Sequence, residues 1–202
     1  MAHKTTDPAA LFFPGRAWAG RLLRLFGWRI EFSGLPGRLG VIAVYPHTSN
    51  WDFPVGLLAK WALGLPVRFW AKDSLFRTPV LGPFMRRVGG IAVDRSAAHG
   101  LVGSTVQQMQ VARHRSDWFW LALAPEGTRR PVAGWRSGFY RVALGAQVPL
   151  GVASLDYGRR VVRLTDFLTM TGDEAKDMAR IAECLAGVRG FNPAAAGSVR
   201  LI

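Results

Sequence analysis

A histidine and an aspartate bracket the stretch Pro46-His47-Thr48-Ser49-Asn50-Trp51-Asp52. Imidazole is the side chain best suited to move a proton near neutral pH. A carboxylate beside it can fix the imidazole tautomer and stabilise the imidazolium that forms. The spacing alone fits a solvated loop histidine and a helix-capping aspartate better than a catalytic pair. A second polar cluster, Glu126-Gly127-Thr128-Arg129, offers anion-binding chemistry. A tight turn exposes backbone N–H groups, threonine adds a hydroxyl and arginine a planar fork, a set that suits phosphate or carboxylate. Glu126 would hold the turn or the arginine in place. Alone, this tetrapeptide also reads as an ordinary polar turn with an exposed ion pair.

Both clusters follow apolar runs, 41–45 and 118–124, that read as buried strands. A helix over about 50–63 follows the first, with Asn50 or Ser49 as its N-cap and Asp52 in its first turn. The positive end of that helix dipole favours an ionised Asp52. Further strands are expected at 28–32, 67–71, 91–93, 148–155 and 160–164, and helices at 97–113, 137–145 and 172–188. Strands alternating with helices imply a single α/β domain, a sandwich with a mostly parallel central sheet flanked by helices. In such sheets ligands gather at the carboxyl ends of the strands, where the two clusters and Asp94-Arg95 would meet if their strands run parallel.

Residues 1–13 read as a loose N-terminus, 14–27 as an amphipathic helix, 28–190 as the domain and 191–202 as a poorly ordered tail. On the first helix Trp18, Leu22, Leu25 and Phe26 share one face, and Arg16, Arg21 and Arg24 the other. That pattern suits a helix lying in a membrane interface. Packing of the apolar face on the domain explains it equally well. The N-terminus lacks the order of a signal peptide. No segment reaches the about 18 consecutive apolar residues expected of a spanning helix.

The 202 residues carry 26 basic and 13 acidic side chains, a formal charge of +13, which favours an anionic partner. Eight tryptophans and twelve phenylalanines mixed with arginine suit a membrane surface, and also single-stranded nucleic acid. The basic residues are dispersed and no nucleic-acid fingerprint occurs, which argues against the latter. Cys184 is the single cysteine, so no internal disulfide forms and nothing argues for secretion. It reads as a packing residue. His3, His99 and His114 read as surface residues, and no His/Cys spacing suggests a metal site.

Taken in order, His47-x-x-x-x-Asp52, Arg95 after Gly90-Ile91-Ala92-Val93-Asp94, Pro125-Glu126-Gly127-Thr128-Arg129 and Val148-Pro149 resemble the blocks of the glycerolipid acyltransferases, which include the 1-acylglycerol-3-phosphate acyltransferases. The intervening Lys72-Asp73-Ser74-Leu75-Phe76 and 79–82 segments match as well, so the resemblance spans about residues 41–157. It implies a compact, bacterial-type enzyme that moves a fatty acyl group from acyl-CoA or acyl carrier protein to a lysophospholipid hydroxyl in phospholipid biosynthesis. His47 would be the general base and Asp52 its partner. Glu126, Gly127, Thr128 and Arg129, with Arg95 and Lys72, would form the acceptor-phosphate site. No bound cofactor is implied. The expected place is the cytoplasmic face of the cell membrane, as a peripheral protein. Three positions depart from the pattern: Pro46 where Asn is common before the histidine, Val152 where a second Pro is usual, and Arg136 where Lys is frequent. They leave the base in place and bear on the acceptor. Acylation of another lipid alcohol, or a non-catalytic basic protein binding membrane or nucleic acid, are the alternatives.

Overall fold

The computed structural model describes residues 10–93 and 100–202. Helix α1 (Ala17–Leu25) leads into strand β1 (Arg29–Phe32), β2 (Leu39–Tyr45), α2 (Asp52–Leu63) and β3 (Val67–Lys72). A 3-10 turn (Asp73–Phe76), α3 (Leu81–Arg87) and β4 (Gly90–Val93) follow. The second half holds α4 (Leu101–His114), β5 (Phe119–Leu123), α5 (Gly138–Ala146), β6 (Leu150–Asp156), β7 (Val161–Leu168) and α6 (Glu174–Cys184). The seven strands form one sheet in the order β1-β7-β6-β2-β5-β3-β4. The five strands from β6 to β4 run parallel, β7 runs antiparallel to β6, and β1 lies parallel to β7.

Alternation along β2 explains the layers. Val41 and Ala43 join a core cluster with Met109 of α4, Phe139 and Val142 of α5, and Ile181 of α6. Ile42 points to the opposite face with Trp120, and Val44 reaches the cluster that Leu23 of α1 and Val55 and Ala59 of α2 build there. A strand buried on both faces needs a continuous apolar run, which β2 and β5 supply.

The expected α/β sandwich is therefore the observed fold, with local differences. Helix α2 begins at Asp52 and has no side-chain cap at its N-terminus; neither Ser49 nor Asn50 takes that role. The Asp52 carboxylate instead reaches back to the loop N–H groups. Helix α3 forms in a stretch that carries Gly82 and Pro83; both sit in its first turn, where Pro costs no hydrogen bond. Residues 191–202, expected to be loose, lie against the domain. Leu201 forms a parallel bridge with Trp135, and the Ile202 N–H donates to the Trp135 carbonyl at 3.0 Å. Trp135 is wholly buried, and this segment helps to cover it.

Candidate active site

Strands β5, β2 and β6 are neighbours, so their carboxyl ends lie side by side. β2 delivers the His47 loop, β5 the Glu126 turn, and β6 the short hairpin into β7. The reversal of β7 does not scatter the site. It forces the chain to turn straight after Asp156 and leaves Tyr157 at the same edge.

His47 Nδ1 lies 3.1 Å from Asp52 Oδ2. The imidazole is partly exposed and the aspartate is buried. Oδ2 also accepts the N–H groups of Thr48 and Ser49, each at 2.8 Å, and the Tyr157 hydroxyl donates to Oδ1 at 2.9 Å. Burial pushes the Asp52 carboxyl up. Hydrogen bonds from His47, Ser49 and Tyr157, with the charge of His47, outweigh it and hold the group below the usual aspartate range. Asp52 is thus ionised at neutral pH and fixes Nδ1 of His47. Nε2 is left outside the pair. Burial, then the charge of Asp52 and their hydrogen bond, push the Tyr157 phenol well above its ordinary value, so it remains a donor.

Glu126 sits differently from the sequence expectation. It is buried, and its two oxygens accept main-chain donors: Oε2 the His47 N–H at 2.5 Å and Oε1 the Gly197 N–H at 2.8 Å. A buried carboxyl with both oxygens engaged by main-chain donors does not receive a phosphate; Glu126 ties the β5 turn to the histidine loop. Burial raises its carboxyl above the ordinary value, partly offset by those two N–H groups.

Gly127 adopts φ +67°, a left-handed conformation that glycine takes freely, and the Arg136 side chain lies over it: a Cβ there would come 3.1 Å from Arg136 Nε. Thr128 Oγ1 accepts the Arg130 N–H at 3.2 Å, which shapes the turn. Arg129 and Arg136 are exposed, as is Lys72 at the end of β3. Among the described residues none of the three pairs with a carboxylate, so their charges are available to an anion. Arg95 lies outside the described residues, as does His99. Cys184 is half-buried in α6, and burial pushes its thiol up, consistent with packing. Among the described residues no group of three or more His, Cys, Asp or Glu side chains gathers to hold a metal.

The sequence reading missed two contributors. Tyr157 follows a buried strand directly, a position where a polar-tipped aromatic could have been flagged. Asn192 donates its N–H to Thr48 Oγ1 at 3.2 Å and its side-chain amide to the Thr48 carbonyl at 3.0 Å. Its neighbours Pro193 and 194–196 disguised it as part of a loose tail.

No curated protein matches the chain. Among solved structures, the 1-acyl-sn-glycerophosphate acyltransferase PlsC from Thermotoga maritima is similar, with a TM-score of 0.52 and 17% sequence identity over 82% of this chain and 73% of that one. That likeness concerns the fold. The sequence model of the family described as Acyltransferase matches residues 29–152, which take in the histidine loop, the glutamate turn and all five parallel strands up to Val152 in β6. The chain belongs to the acyltransferase family.

Proposed function

We propose that the chain transfers a fatty acyl group from an acyl thioester, acyl-CoA or acyl carrier protein, to a hydroxyl of a lysophospholipid. The first acceptor on this reading is 1-acylglycerol-3-phosphate, in phospholipid biosynthesis. The observation that carries it is His47 Nδ1 held at 3.1 Å by a buried, four-times hydrogen-bonded Asp52 at the edge of the parallel strands. The structurally similar PlsC is described as acting on 1-acyl-sn-glycerophosphate, which supports the choice of acceptor.

His47 Nε2 takes the proton of the acceptor hydroxyl as its oxygen attacks the thioester carbonyl. Asp52 stabilises the imidazolium that forms. The tetrahedral oxyanion collapses and expels thiolate. A thiol of pKa about 8.5 leaves far more readily than an alkoxide, so little acid help is needed. Exposed Arg129, with Thr128 and Gly127, receives the acceptor phosphate, and Arg136 over Gly127 supplies a second guanidinium at the same turn. Arg95 and Lys72 complete the proposed phosphate site. The protein works as a peripheral protein at the cytoplasmic membrane surface. Among the described residues no helix is long and apolar enough to cross a membrane, and Leu25 and Phe26 of the α1 end are exposed.

The test is acyl transfer by purified protein on liposomes with a panel of lysolipids, each thioester donor in turn, and His47→Ala as the blank. Product from lysophosphatidate above the blank supports the reading. Product from another acceptor alone moves the assignment to that lipid. No product with any acceptor removes it.

A further inference from the structure

We infer that Tyr157 is a positioning residue for the His47–Asp52 pair, the third member of the array, holding the carboxylate at the angle that aligns Oδ2 with the imidazole. The inference rests on the reading of His47 as the base. Three donors converge on Asp52 Oδ2, whereas Oδ1 has one partner among the described residues, the Tyr157 hydroxyl. A carboxylate turns about its last bond, and a donor on the second oxygen stops that rotation. It also draws charge from the carboxylate and so tempers how strongly Asp52 holds a proton on His47.

Two separate segments fix the hydroxyl in place, one at Trp28 and one at 189–191. The ring of Trp28, just before β1, meets the Tyr157 ring edge-on at 4.9 Å, and Phe191 meets it at 5.4 Å. The Tyr157 N–H donates to the Arg189 carbonyl at 2.8 Å. A phenylalanine would satisfy these ring contacts equally well; only the hydroxyl reaches the carboxylate. Tyr157 and Phe191 lie beyond the residues 29–152 that match the family, so the family assignment does not supply this role.

The experiment compares Y157F with the unmodified protein. Turnover should fall about tenfold or more, as expected when a hydrogen bond to a charged group is lost, while the acceptor KM stays within about twofold. The acidic limb of the kcat/KM profile should move to higher pH, because an untempered Asp52 holds the imidazolium proton more strongly. Glu126, the other acid beside His47, is unchanged in this variant. In the D52N background Y157F should cost nothing further. Unchanged turnover and profile, or additive losses in the double variant, would overturn the role. The His47 ring titration, followed by NMR, reads the same effect without turnover: an upward shift in Y157F supports the role and no shift overturns it. If no acyl transfer is found with any acceptor, that titration still decides the role of Tyr157 while the acyl-transfer reading falls. Should Y157F not fold, F191A, which removes one wall of the clamp, should shift the titration the same way by less, and no movement there overturns the role.

Discussion

Glu126 Oε2 accepts the backbone N–H of His47 at 2.5 Å, so the turn after β5 grips the histidine loop by its main chain. Two blocks that lie 79 residues apart form one hydrogen-bonded unit. Replacing Glu126 by Gln puts an NH2 group against one of two backbone donors. That should destabilise the fold by about 1–3 kcal/mol and lower kcat while the acceptor KM holds. Chemical denaturation and steady-state kinetics check both. A rise in KM alone would return Glu126 to the phosphate site.

Acid should destabilise the protein mainly through two buried aspartates. Asp52 and Asp177 are held below the ordinary range. For Asp177, burial opposes ionisation but is outweighed by the Thr171 N–H, the Tyr140 hydroxyl, the Thr171 hydroxyl and the Gly172 N–H. A lowered carboxyl contributes stability that is full above the unfolded value of about 3.9 and is lost as pH falls through the folded value. Glu126 acts in the opposite sense. Its raised carboxyl favours the folded state below about 4.3, and that contribution is lost as pH rises through the folded value. Denaturation midpoints from pH 7 to 2.5 should therefore fall less steeply in D177N than in the unmodified protein, from a lower starting point. An equal slope would show that Asp177 does not carry the acid limb.

The C-terminal segment should prove part of the site. At Gly190 an added Cβ would lie 2.7 Å from Thr48 Oγ1 and 2.8 Å from Pro46 Cγ, on the two residues that flank His47. Gly190→Ala must therefore push the histidine loop. A loss of about 1–3 kcal/mol is expected, as for overpacking elsewhere, with kcat falling more than thermal stability alone explains. Asn192→Ala, which frees Thr48 without a clash, should show a smaller loss of the same kind. Normal turnover in both would detach the segment from the site.

Much of this architecture was legible because β2, β5 and β6 are apolar runs that only a doubly covered sheet can bury, each ending in polar residues. His47 and Asp52, the first residue of α2, lie five positions apart, but it was the resemblance to the acyltransferase blocks and not that spacing that paired them. The remaining contacts have no local signature. Tyr157 reaches Asp52 across 105 positions and Asn192 reaches Thr48 across 144. No periodicity encodes such distances. The direction of β7 was hidden too, since apolar content does not distinguish a parallel strand from a reversed one. The 191–202 segment is short on large apolar residues, and only its contact with buried Trp135 gives it a place.

Arg129→Ala tests the anion-binding turn. The side chain is exposed and, among the described residues, unpaired, so its loss should leave stability within about 0.5 kcal/mol. On the proposed reading the KM for a phosphate-bearing acceptor rises about tenfold or more, with kcat far less affected. Arg129→Lys should recover only part of the loss, since a point charge lacks the bidentate fork. An unchanged KM in the alanine variant would remove Arg129 from the phosphate site and leave Arg136 and Lys72 as the candidates.

Helix α1 separates packing from exposure within two positions. Leu23 is 1% exposed and Leu25 is 79% exposed. Ala19 and Leu23 face the domain, so the helix docks by a different stripe from the one expected to meet lipid. Trp18 leans on Trp61 at 5.4 Å yet stays half exposed, Leu22 lies between the two faces, and Phe26 is open. Leu23→Ala should cost about 2–4 kcal/mol of stability. Leu25→Ser with Phe26→Ser should leave the melting temperature unchanged. Each of these apolar side chains is worth about 1.5–3 kcal/mol on full transfer out of water, so the double change should weaken binding to anionic liposomes by about tenfold or more. Sedimentation with vesicles measures it. Unaltered partitioning would show that this end of α1 does not enter the membrane interface.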